Sequence, residues 1–208
     1  MASGREKAYE YLKETVLTDP EMQGRFLSEQ EIADAIGVSR TPIREALLLL
    51  AAEDLISLVP KRGAHIARLT AREIGELMEL RGIVERYAAQ YVVEHDAVPV
   101  QELEGLLADQ GGLMAADRSR EFIDVDHRFH SAVVRAVGNS LLDRHYDGLR
   151  SRQIRAGMVA LYTAPGRRQE VIAEHRAILD ALAAGDVAAA HAAIDAHLGS
   201  TRGVLLAG

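Results

Sequence analysis

Ala8, Leu12 and Val16 recur at helical spacing, and the repeat stops near Thr18-Asp19-Pro20. A short loop with Gly24 follows. Ser28 then precedes Glu29 to Ile36, where Ile32, Ala33 and Ile36 form one apolar stripe and Gly37 supplies a helix stop. Ser39 opens a third helical segment that runs to about Glu53, with Ile43, Ala46, Leu47 and Leu50 facing inward. The Ser39 hydroxyl is expected to cap the first turn. Pro42 is tolerated there because its missing donor lies in that turn. Two β-capable runs, Ile56 to Val59 and Ala64 to Ala67, flank Pro60-Lys61-Arg62-Gly63, a turn carrying two cations. Residues 1–69 therefore read as three helices followed by a two-stranded hairpin.

From Thr70 onward the period is helical throughout. Six helices are predicted, near residues 70–95, 99–116, 119–137, 141–163, 166–184 and 186–206. Thr70 and Glu73 make a capping box, and Asp186 is a second N-cap. The Ala-rich stretch from Ala181 to Ala196 keeps a helical period and reads as a tightly packed helix. Short breaks between the segments favour antiparallel neighbours, so residues 70–208 are expected to form an all-α bundle.

Composition narrows the function. There is no Cys among the 208 residues, which excludes disulfides and thiolate metal sites. Aromatics are 4% and Trp is absent, which favours helices over sheets. A net charge of −7 argues against a wholly basic nucleic-acid coat but leaves room for a local basic face. No apolar run reaches about 18 residues, so no membrane span is expected. Met1 to Glu14 lacks the apolar core of a signal peptide and reads as an amphipathic helix; a soluble cytoplasmic protein is the expectation.

Two helices joined by a tight Gly-Val-Ser turn have the shape of a helix-turn-helix, whose second helix puts its N-terminal residues against base edges in the major groove. Here that end is Ser39-Arg40-Thr41-Pro42-Ile43-Arg44. Arg40 and Arg44 lie about 40° apart round the helix and share one face. Arginine pairs with two acceptors on guanine, while Ser and Thr hydroxyls serve phosphates or bases. Lys61 and Arg62 at the hairpin would then form a wing. The plain alternative is a solvated charged face.

The run Gly37-Val38-Ser39-Arg40-Thr41-Pro42-Ile43-Arg44-Glu45-Ala46-Leu47, followed by a Leu run, Glu53-Asp54-Leu55-Ile56 and the Gly63 turn, closely resembles the winged-helix domain of GntR-family transcriptional regulators. The resemblance implies that Arg40, Thr41 and Arg44 are DNA contacts, with Ser39 beside them and Gly63 at the wing tip. Family members often carry Arg where this chain has Gln30, which is expected to touch phosphate.

The remainder holds seven of the eight His residues. In Asp126-His127-Arg128-Phe129-His130, Asp126 and His130 are four apart and share a helix face, with about 6 Å of rise between them. A carboxylate and an imidazole at that spacing can grip one ion. His175 and His197 fall in the last two helices, which the Gly185-Asp186 turn allows to meet. Three neutral imidazoles and a carboxylate suit Zn²⁺, Ni²⁺, Mn²⁺ or similar ions, and ligand type alone does not select among them; Zn²⁺ is the expectation, with Ni²⁺ or Mn²⁺ as alternatives. The plain alternative is histidines making ordinary hydrogen bonds. Leu80-Arg81-Gly82-Ile83-Val84-Glu85, Asp126 to His130, Gly138-Asn139, Glu174-His175 and His197 resemble the FCD ligand-binding domain, the C-terminal partner of the winged helix in the FadR branch of that family. The resemblance implies that Asp126, His130, His175 and His197 are metal ligands. A six-helix count resembles the VanR-like subgroup.

Together these readings predict a mainly α protein: a winged helix-turn-helix at residues 1–69, then a helical effector-binding, metal-binding and dimerisation domain at 70–208. The implied partners are double-stranded operator DNA with a short inverted repeat, a second copy of the chain, and a small carboxylate or hydroxyacid effector. Arg81 is the first candidate for pairing with the effector, ahead of Arg128, Arg135, Arg150 and Arg152; a salt bridge to Glu85 is the competing role for Arg81. The rival function is a metal-dependent hydrolase or oxygenase using the same His₃Asp set, with Glu174 as its one candidate base.

Overall fold

Ser3 and Glu6 cap each other at the start of α1 (Gly4–Tyr11). The structure, a computed structural model, describes residues 3–53 and 55–207. Met1, the expected start of the first helix, Asp54 of the family motif, Ala2 and Gly208 lie outside the described residues. The chain divides into two compact units, Met1–Leu69 and Thr70–Gly208.

In the first unit, α1 widens into a π-helical stretch over Leu12–Val16, where the Leu17 N–H donates to the Leu12 carbonyl. Next come β1 (Phe26–Leu27), α2 (Glu29–Ile36), α3 (Arg40–Ala52), β2 (Ser57–Val59) and β3 (Gly63–His65). Ser28 and Glu31 form a full capping box on α2, and Gly37 ends it in the left-handed conformation at φ 68°. Ser39 occupies the N-cap position of α3 without making a side-chain cap hydrogen bond, contrary to the expected role of its hydroxyl. Ala8, Leu12, Ile32, Ile43, Leu50 and Ile66 pack in one core. Burying each large aliphatic among them contributes about 2 kcal/mol, against about 1 kcal/mol for a typical cap.

The sheet has three antiparallel strands in the order β1-β3-β2, not the expected two. β1 is two residues long, too short to show a period of two; its pairing with β3 defines it. That pairing explains Gly63. A Cβ there would lie 2.2 Å from the Leu27 carbonyl oxygen, and φ is +90°. Lys61, also left-handed at φ 64°, is the residue that turns the hairpin tip.

The second unit contains α4 (Ala71–Glu94), α5 (Val100–Gly111), a 3₁₀ turn (Ala116–Arg118), α6 (Ser119–Ala136), α7 (Ser140–Asp147), α8 (Arg150–Thr163), α9 (Arg167–Ala183) and α10 (Val187–Ala207). The bundle thus has seven α-helices among the described residues where six were expected. The segment expected as one helix over 141–163 breaks at Gly148-Leu149, where the Leu149 N–H reaches back only three residues, to the Tyr146 carbonyl. Both residues keep right-handed backbone angles, so the apolar period runs through the break. The helix number therefore lends no support to the VanR-like likeness. The expected 99–116 helix also stops earlier, at the Gly111-Gly112 pair.

α10 packs along α4 and α9, while α6 packs on α4, α5 and α8. Small residues permit close approach: a Cβ on Gly157 of α8 would lie 2.8 Å from Ile123 of α6. Separately, the inward faces of α6, α9 and α10 meet at one point. No helix among the described residues is long and apolar enough to cross a membrane.

Candidate functional site

Asp126 and His130 sit one turn apart on α6, His175 on α9 and His197 on α10. One ligand atom from each lies within 4.8 Å of all the others. The three imidazoles are buried, and Asp126 keeps 14% of its side chain exposed. The Nε2 atoms of His130 and His175 are 3.2 Å apart, and His175 Nε2 is 3.3 Å from Asp126 Oδ1. Phe129 stacks on the His175 ring at 4.4 Å between centroids.

A second layer assigns the protons. Gln110 donates its Nε2 to the Phe122 carbonyl, which turns its Oε1 toward His175 Nδ1 at 2.8 Å. His130 Nδ1 lies 3.0 Å from Glu85 Oε2, and His197 Nδ1 lies 2.7 Å from Glu174 Oε2. His175 and His197 Nδ1 have hydrogen-bond geometry to their acceptors, whereas His130 Nδ1 has only an ion-pair distance to Glu85; a hydrogen on each Nδ1 leaves each Nε2 with a bare lone pair. Three lone pairs and a carboxylate converging in a buried space repel one another unless a cation lies among them. The donor set therefore fits a divalent metal ion, and the outer layer fits the way metal-bound histidines are oriented.

The electrostatics agree. Burial pushes His175 down to about 4 and lowers His197, so both imidazoles are neutral at pH 7. Glu174 is brought to about 2: burial opposes this, and contact with His197 and Arg167 outweighs it. Arg167 grips both Glu174 oxygens at 2.8 Å and donates to Thr201 at 2.9 Å. Glu174, the one base suggested for an enzyme, is thus committed to orienting His197.

Sequence reasoning named the four central residues but missed Gln110 and Arg167, and it singled out Glu174 only as the base of the rival enzyme. Gln110 is distant in sequence from its histidine, and no spacing rule joins them. Glu174 adjoins His175, yet it serves His197.

The five candidate effector arginines separate. Arg81 Nε pairs with Glu85 Oε1 at 2.7 Å, so the competing salt bridge does form, and Tyr146 donates to the same oxygen. Both partners are buried, and Arg81 Nη2 has no hydrogen-bond partner. Arg128, Arg135 and Arg150 instead line a different cleft of about 580 Å³ beside His127. There Arg135 pairs with Glu102 and Arg150 with Asp124, each at 2.5 Å. Arg152 lies toward Glu73 of α4. His127 points away from the centre and holds Gln153 at 2.8 Å.

In the first unit, Arg40 and Arg44 are exposed on one face of α3, beside exposed Ser39 and Thr41. Both arginines bind Glu29. Gln30 is exposed and donates to Asp34 at 2.8 Å. A cleft of about 530 Å³ is lined by Glu29, Arg40, Arg44, Lys61, Arg62 and Gly63, so the α3 face and the wing border one groove. The Arg62 guanidinium lies 3.9 Å above the Phe26 ring, a contact that depends on β1.

Comparison with known proteins accounts for both units. Residues 5–66 match the gntR family of bacterial regulatory proteins, and residues 76–200 match the FCD domain. An uncharacterized HTH-type transcriptional regulator in an unstable DNA locus of Streptomyces ambofaciens is 34% identical over 94% of this chain and 82% of its own length. The gluconate operon transcriptional repressor of Bacillus subtilis is 31% identical over 72% of this chain and 61% of its own length. A solved GntR transcriptional regulator from Rhodococcus sp. RHA1 shares the fold, with a TM-score of 0.81 and 24% identity over 100% of this chain and 99% of that one. These are regulators rather than enzymes, which sets the hydrolase or oxygenase alternative aside. A gntR-type helix-turn-helix joined to an FCD domain identifies the chain as a member of the GntR family of bacterial transcriptional regulators.

Proposed function

We propose that this regulator binds an operator as a homodimer and that a small carboxylate or hydroxyacid, held at a divalent metal in the helical unit, sets its operator affinity. The convergence of three bare imidazole nitrogens and the Asp126 carboxylate carries this reading. Asp126, His130, His175 and His197 would hold the ion, most simply Zn²⁺, with Ni²⁺ or Mn²⁺ accepted by the same donors. The bound ion would supply open coordination positions for the effector's oxygens.

The chain's own residues do the rest. Gln110, Glu85 and Glu174 fix the imidazole tautomers and ring directions. Arg81 offers Nη2, a buried donor without a partner, to an effector carboxylate, and its Nε contact with Glu85 keeps the guanidinium in place. Arg40, Thr41 and Arg44 would meet base edges; Ser39, Gln30, Lys61, Arg62 and Gly63 would meet phosphate or the minor groove. An effector that favours one arrangement of the paired subunits changes how the two recognition helices match the half-sites. DNA and effector then alter each other's affinity by the same factor. Repression is the favoured output, since the gluconate operon relative is named a repressor.

The test is a fluorescence titration of labelled operator duplex with metal-loaded protein against a panel of carboxylates and hydroxyacids. An acid that raises the melting temperature should change operator affinity by about 5- to 150-fold. Acids that bind and leave operator affinity unchanged would overturn the coupling.

A further inference from the structure

The two arginines at the start of α3 converge on a single carboxylate. Arg40 donates Nε and Nη2 to Glu29 Oε2, at 3.3 and 3.1 Å. Arg44 donates Nε to Oε1 and Nη2 to Oε2, both at 2.9 Å. Glu29 is the first residue of α2, with its side chain 18% exposed, against 61% and 65% for the two arginines.

A guanidinium has five N–H donors. Glu29 takes the side edge of each arginine, formed by Nε and Nη2. The end-on fork, made by Nη1 and the second Nη2 hydrogen, stays free, and that fork suits the O6 and N7 acceptors of guanine. The carboxylate and the base need not compete for the same donors.

We propose that Glu29 is a specificity-determining residue that presents Arg40 and Arg44 as one oriented pair and reduces the pull of the α3 face on DNA phosphate. This rests on the reading of Arg40 and Arg44 as DNA contacts. Two effects follow from the geometry. Long side chains held before encounter lose less freedom when they dock, which favours the complex that needs their orientation. Non-specific binding comes from neutralised phosphates, and two guanidiniums on one carboxylate carry one net positive charge instead of two. Exposed ion pairs add little to stability, so the effect belongs to selectivity and salt dependence.

The full chain is tested as wild type, E29Q, E29A and the double variant R40A/R44A. The probes are a duplex enriched by the wild-type protein from a randomised library and a scrambled duplex of equal composition. Binding is followed by anisotropy across a range of salt. E29Q should bind the scrambled duplex about three- to tenfold more tightly and gain less on the enriched one, so that their ratio falls. Its plot of log affinity against log salt on the scrambled duplex should steepen by up to about 0.9. E29A should behave alike, and the near-isosteric E29Q keeps the test valid if E29A folds poorly. R40A/R44A should lose the enriched duplex. If it does while E29Q and E29A keep the wild-type ratio and salt slope, the role of Glu29 is overturned and the arginine reading stands. If R40A/R44A retains the enriched duplex, or no sequence is enriched, the arginine reading falls and takes this role with it.

Discussion

The Gln110 amide touches no candidate ligand atom of the metal centre, yet it decides which nitrogen of His175 faces inward. Its Oε1 accepts at Nδ1 while its Nε2 is tied to the Phe122 carbonyl. Replacing it with Ala leaves all four donors in place and frees the imidazole to change tautomer or tilt. Gln110→Ala should weaken Zn²⁺ binding about 10- to 100-fold, read by competition with a chromophoric chelator. An unchanged affinity would mean that stacking on Phe129 alone orients the ring. At this scale the residues legible in the sequence were those with chemistry of their own at a helical spacing, Asp126 and His130 above all. Those whose importance lies in a partner from a distant helix, Gln110 and Arg167, carried no local signal.

Ser28 and Ser39 each precede a helix, and they cap it differently. Ser28 completes a reciprocal capping box with Glu31, whereas Ser39 caps by position only. Ser28→Ala should therefore cost the first unit about 1 kcal/mol, and Ser39→Ala less than about 0.5 kcal/mol, in urea unfolding followed by circular dichroism. Equal losses would show that the Ser39 hydroxyl caps α3 in solution. The long helices were legible because their apolar stripes repeat over many turns. β1 was not, because two residues make no pattern and its partner β3 lies far along the chain. The α7–α8 break was hidden for the opposite reason: the period continues across it.

For the helical unit as a whole, the shifts at the centre add with one sign. His175 binds protons more readily unfolded, near pH 6.5, than folded, near 4. Its contribution is complete above pH 6.5 and is lost as the pH falls toward 4. Glu174, brought to about 2 in the folded state by contact with His197 and Arg167, loses its contribution as pH falls through the carboxylate range and below. The metal-free protein should therefore melt at lower temperature as the pH falls from 7 to 4, and Zn²⁺ should raise the melting temperature more at pH 7 than at pH 5. Calorimetry with and without metal reads both. A melting temperature that does not fall with pH would contradict neutral, buried imidazoles.

By itself the sequence determined the helical period, the helix-turn-helix wording around Arg40 and Arg44, and the His and Asp residues available to a metal, because these are local matters of residue type and spacing. Only the tertiary structure decided that Glu29 would hold both arginines, that Arg81 would pair with Glu85 behind His130 while Arg128, Arg135 and Arg150 would face another cleft, and that Gln110 and Glu174 would meet the Nδ1 atoms of His175 and His197. Those outcomes depend on which helix faces come together. Side-chain packing across the core sets that, and no short stretch of chain contains it.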